Sequence, residues 1–150
     1  MIFLSFILDG ILSTTISYFM PLCTLTSITI SSYYKNKDIL LKESIFVGIL
    51  YDVVYMDTLM FNSVIFFILC LFVFYLNSKL NKNLFNIIIE NILIIFLYLI
   101  ITYVLFNIYK YLNVDIKMFL YNVVRSFLFN SLYIIILYII VHKKIKSSYN

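Results

Sequence analysis

The side chains with chemical potential in this sequence are few, and they lie inside apolar runs. Asp9, Asp52, Glu90 and Arg125 are the ionisable groups so placed. A charged group at the centre of a bilayer costs about 2.5–3.5 kcal/mol on insertion scales, so each needs compensation. Asp9, Ser13 and Ser17 recur every fourth residue and share a helical face, with Gly10 beside it. That face reads as a hydrogen-bonded packing stripe, or alternatively as a partner- or ligand-facing groove. Ser44, Gly48, Asp52 and Met56 form a second such face. Its Ser44–Gly48 pair permits close helix approach. Asn122, Ser126 and Asn130 form a third, with Arg125 next to it. Counted from the nearest loop lysines, Asp52 lies about 15 Å deep and Arg125 about 12 Å deep from the opposite side. The expectation is that Asp52 and Arg125 pair. Glu90 either pairs with Arg125 instead or stays protonated and hydrogen-bonded. Asp9, Asp52 and Glu90 together also admit a proton or ion pathway as the minority reading.

Catalytic patterns do not emerge from these residues. The one histidine, His142, stands in a lysine-rich tail. Cys23 and Cys70 are isolated in apolar runs, which suits inert buried thiols and no zinc or redox pair. There is no GxSxG, HExxH, P-loop or GxGxxG. Asp9 and Asp52 do not stand in the motifs of an intramembrane aspartyl protease. The expectation is a protein with no catalytic residue, no cofactor and no metal.

The elements that must hold these groups follow from composition. Of 150 residues, 64% are hydrophobic and 12% charged, and the mean hydropathy is +1.06. A soluble enzyme, a disordered chain and a disulfide scaffold do not fit. The expected fold class is an all-α integral membrane protein, a compact bundle of about six transmembrane helices in one domain. The spans read as residues 2–20, 22–34, 44–56, 59–76, 84–109 and 118–141. Six crossings of a bilayer use about 120 residues, which leaves no room for a soluble domain. The first run lacks a basic start and carries Asp9, so it reads as a retained span. The chain has no Ala and two Gly, so Ser and Thr must supply close helix contacts.

Eight lysines fall on one side: Lys35, Lys37 and Lys42, then Lys79 and Lys82, then Lys143, Lys144 and Lys146. Lys110 and Lys117 fall on the other. Lysine-rich loops stay cytoplasmic, so both termini are expected inside, with six crossings. The net charge of +4 thus reflects topology and not nucleic acid. Tyr33, Tyr34, Tyr75, Tyr109 and Tyr111 near the span ends read as an interfacial belt, with a tyrosine-lined ligand site as the alternative.

The stretch from Phe46 to Asn62, with Gly48 and Asp52 in a G-x-x-x-D element and Asn62 opening the next span, resembles the hallmark of MreD, the rod-shape-determining membrane family of bacteria. Asp9-Gly10-Ile11-Leu12 is similar to the first span of the low-GC Gram-positive and mollicute-like branch. Ser126 to Tyr133 is similar to its last span. The resemblance implies a fold like the substrate-binding subunits of energy-coupling-factor transporters. It also implies a non-enzymatic scaffold of the cell-elongation machinery. The implied partners are an MreC-like protein, with MreB, a RodA-type glycosyltransferase and a class B penicillin-binding protein in the same complex for lateral peptidoglycan synthesis. A homodimer stays open, and so does the alternative function of a small-molecule-binding transporter subunit. The surfaces expected to carry the interaction are the Asp9/Ser13/Ser17 stripe and the hairpin around Gly48, Asp52 and Asn62.

Overall fold

The computed structural model describes residues 1–15, 22–56, 60–80, 83–108 and 116–147. Among them the chain is all helical. The helices are α1 (Ile2–Thr15), α2 (Cys23–Ser31), α3 (Lys37–Tyr51), α4 (Phe61–Asn77), α5 (Leu84–Ile108) and α6 (Ile116–Ser147). A π-helical turn, Asp52–Met56, extends α3.

Helix α2 is the hub. It is nine residues long and buried along its whole length, and it touches each of the other five helices. Its sequence, CTLTSITIS, is rich in β-branched and hydroxyl residues, which favour a helix little by themselves. Tertiary context decides here. The hydroxyls turn back on their own helix: Ser27 donates to the Thr24 carbonyl at 2.9 Å and Thr29 to the Leu25 carbonyl at 3.1 Å. So satisfied, they behave as small groups that let neighbouring helices approach closely.

The remaining helices form two hairpins and a flank. In one hairpin α3 packs on α4. A methyl group at Gly48 would stand 2.4 Å from the Ser63 Cα, so only glycine allows this approach. In the other, α5 packs on α6, with the Tyr103 and Phe119 rings 4.4 Å apart. Helix α1 lies against α2 and α3. The Ser5 and Tyr133 hydroxyls, 2.8 Å apart, also link it to α6.

Helix bounds differ from the expected spans mainly at α3. It starts at Lys37, seven residues before the apolar run, because a polar turn with good helix formers continues it outward. The Lys35–Glu43 ion pair at 2.6 Å sits beside that start. Among the described residues, two segments, Leu84–Leu105 and Phe119–Val141, are by length and composition long and apolar enough to cross a membrane.

Polar side chains are buried within an otherwise apolar core, and many large apolar side chains face outward. Asp9, Asp52, Asn62, Glu90, Asn91, Ser126 and Asn130 are all buried. The outer surface carries Phe3, Leu4, Phe46, Val53, Val64, Phe85, Leu128 and Leu132, each more than half exposed. On α6 the exposed set Leu120, Val124, Leu128, Leu132 and Ile136 recurs every fourth residue as one stripe.

Candidate functional site

Two helices begin in the same unusual way. The residue before α2, Leu22, and the residue before α4, Met60, are both left-handed, with φ of 55° and 64°. Neither supplies a side-chain cap. Each helix start leaves backbone N–H groups without an internal partner. In both cases a carboxylate from the preceding helix fills that role.

Asp9 on α1 caps α2. Its oxygens accept the N–H of Cys23 at 2.6 Å, the N–H of Thr24 at 2.9 Å and the Thr24 hydroxyl at 2.6 Å. The Tyr51 hydroxyl donates to it at 2.9 Å. Asp52 caps α4. It accepts the Asn62 N–H at 2.8 Å, the Asn62 side-chain amide at 2.9 Å and the Ser63 N–H at 3.3 Å. Asn62 in turn accepts the Tyr98 hydroxyl at 2.9 Å. The positive end of each helix dipole adds to the attraction for the carboxylate.

An aromatic column joins the two caps. The Tyr51 ring lies 5.7 Å from Phe6, 4.8 Å from Tyr55 and 5.2 Å from Phe66, and Phe66 lies 5.9 Å from Tyr98. The π-helical turn contributes to this placement. Tyr51 and Tyr55 both reach α1 from this end of α3, while Asp52 between them serves α4. The Tyr55 hydroxyl donates to the Phe6 carbonyl at 3.0 Å, next to Gly10. A methyl there would meet that hydroxyl at 2.5 Å. Chemically the arrangement binds helix to helix, because its carboxylate oxygens are taken up by donors.

A third polar locus lies elsewhere. The Tyr33 hydroxyl, just past α2, donates to Glu90 Oε2 at 2.5 Å. Glu90 Oε1 and both polar atoms of Asn91 are buried without a hydrogen-bond partner. Between α2 and α6, the Thr26 hydroxyl donates to Asn130 at 2.9 Å, and the Asn130 amide donates to the Ser126 carbonyl at 2.8 Å.

The expected site residues therefore separate. Gly48, Asp52 and Asn62 do come together, as the start of α4 packed on the end of α3. Asp9 and Ser13 do not share a face toward a partner: Asp9 is buried in the bundle, whereas Ser13 is exposed and donates to the Gly10 carbonyl. Ser17 lies outside the described residues. The expected partners Asp52 and Arg125 stand on different parts of the bundle. Asp52 is held by α4, while Arg125 stands on α6, which packs on α2 and α5. Tyr33, expected in an interfacial belt, is buried on Glu90, whereas Tyr34 and Tyr75 are exposed. Tyr109 and Tyr111 lie outside the described residues.

The residues that sequence reasoning missed are Thr24, Tyr51, Tyr55, Ser63 and Tyr98. One signal was present for the tyrosines. A tyrosine in mid-span buries its ring and still needs a partner for its hydroxyl, and the nearby aspartates are the natural acceptors. Among the described residues, no three His, Cys, Asp or Glu gather where a metal ion could be held.

Comparison with protein-family models, curated proteins and solved structures returned no match.

Proposed function

We propose that this chain is a multi-pass membrane protein whose six helices are embedded in lipid as one bundle, with both termini cytoplasmic. The apolar outer surface carries this reading. Soluble monomers rarely expose contiguous apolar patches beyond a few hundred Å². Here apolar stripes cover the outer faces of several helices, while acids and amides are buried. Lipid tails suit such a surface and water does not. The short helices fit if α1, α2 and α3 are covered by the longer ones or cross with local thinning of the bilayer.

Within that frame the chain serves as a non-enzymatic scaffold of the bacterial cell-elongation machinery. It holds an MreC-like partner and helps organise lateral peptidoglycan synthesis. The support is twofold. The G-x-x-x-D element from Gly48 to Asp52 carries the MreD resemblance. The buried aspartates are occupied by helix capping, so the surface left for recognition is apolar helix face.

Mild-detergent purification of the tagged chain from native membranes tests the reading. A single-span, coiled-coil MreC-like protein is the expected companion. Recovery instead with ATP-binding subunits would replace the scaffold by the transporter-subunit alternative, and recovery alone would leave it without support.

A further inference from the structure

Three buried carboxylates share this interior, and they are served very unequally. Asp9 accepts four hydrogen bonds and Asp52 lies on the N-terminus of α4. Glu90 is 0% exposed and receives one bond, from Tyr33 to Oε2. Its other oxygen has no partner. Next to it on α5, Asn91 is 1% exposed and has neither of its polar atoms bonded.

A buried anion needs several donors or a countercharge to offset its desolvation, and one phenol is not enough. Among the described side chains, the groups on the elements around this half of α5 supply no cation. They are Tyr33 after α2, Tyr133 and Tyr138 on α6, and the Cys70 thiol on α4. Lys79 past α4 is exposed, and Lys35 is paired with Glu43. Arg125 stands nine residues before Ile134, the α6 residue packed against Tyr33, so it lies about 13 Å away along that helix. The unpartnered atoms also discriminate between ligands. A metal cation would want further ligands around Glu90, and among the described residues no three His, Cys, Asp or Glu gather. A proton on Oε1 removes the buried charge and needs no further ligand.

We infer that Glu90 is a buried proton-binding site, carrying its proton on Oε1 while Oε2 accepts from Tyr33. The site ties the inner end of α2 to α5. Loss of the proton leaves an anion held by one phenol, so proton occupancy bears on how the turn between α2 and α3 is anchored. The inference rests on burial and hydrogen bonding alone, and its failure would leave the scaffold reading intact.

Glutamate labelling tests it without altering the site. The chain contains two glutamates, Glu43 and Glu90. Carboxyl-¹³C glutamate in the full chain, reconstituted in lipid nanodiscs, therefore gives two carboxyl resonances, and Glu43→Gln assigns them. The expected result at pH 7 is one carboxylate resonance, from Glu43, and one carboxylic-acid resonance, from Glu90. The Glu90 signal should not respond when sodium replaces potassium. A carboxylate resonance for Glu90 at pH 7 overturns the inference, and a sodium-dependent shift overturns it in favour of a metal cation.

Discussion

Asp52 accepts the backbone N–H of Asn62 at 2.8 Å across the junction between α3 and α4. A side chain ten positions upstream thus does the work that a local cap residue does at most helix starts. Asp9 does the same for α2. The two caps fix where the short helices begin and tie them to their predecessors.

Removing the α4 cap should be costly. Asp52→Ala leaves the Asn62 and Ser63 N–H groups and the Asn62 amide without their acceptor. The expected loss is about 2–4 kcal/mol of stability, from the cap and the donors left unbonded. Asp52→Asn keeps one acceptor oxygen and should lose less. Thermal unfolding in detergent, followed by the fraction remaining monodisperse, measures the difference. Equal stability of Asp52→Ala and the unaltered chain would contradict the capping role.

The left-handed residues separate strain from burial. A non-glycine residue there carries roughly 1–2 kcal/mol of strain. Met60 is 66% exposed, so Met60→Gly should be neutral or stabilising by up to about 1 kcal/mol. Leu22 is 1% exposed, and Leu22→Gly should destabilise because it empties a core position. The same unfolding assay should rank the two variants in that order.

The glycines make opposite predictions about repair. Gly48→Ala places a methyl against the Ser63 backbone, which cannot retract alone, and should cost at least about 1–3 kcal/mol. Gly10→Ala meets only the tip of Tyr55. Tyr55→Phe removes that tip, so the Gly10→Ala/Tyr55→Phe double variant should be more stable than the sum of the single changes allows. A double-mutant cycle reads this directly, and strict additivity would contradict the close contact.

Membrane residence and orientation can be read with introduced cysteines, since Cys23 and Cys70 are both buried. Cysteine at Asn36 should react with a membrane-impermeant maleimide only after the cells are opened. Cysteine at Leu128 or Leu132 should stay unreactive in lipid although both positions lie on the outer face of α6. Labelling of position 36 from outside intact cells would reverse the topology. Free reaction at Leu128 would put that face in water.

Much of the helical layout was legible in the sequence, because long apolar runs with lysine-rich breaks leave few alternatives. The α3–α4 junction was legible too: Gly48 and Asp52 lie four apart on one face, and Asn62 follows the turn. The roles of the aspartates were not. A depth argument set Asp52 opposite Arg125, since charges in an apolar chain suggest each other as partners. The bonds made here are to backbone N–H groups, which every residue carries and no pattern marks. Ser13 was misread for a related reason. Its spacing places it on the Asp9 face, but Ser13 is exposed where Asp9 is buried, and its hydroxyl is satisfied by its own backbone. Tyr33 shows the same limit: its position near a helix end suggests an interface, and only the packing of α5 reveals Glu90 beneath it.

The scaffold role is tested most directly in the cell. The protein is depleted, and new lateral wall is followed by fluorescent D-amino-acid incorporation. The account predicts that incorporation along the side wall falls away and the cells lose their shape, while incorporation at division sites continues. Unchanged side-wall incorporation and unchanged shape after complete depletion would contradict it.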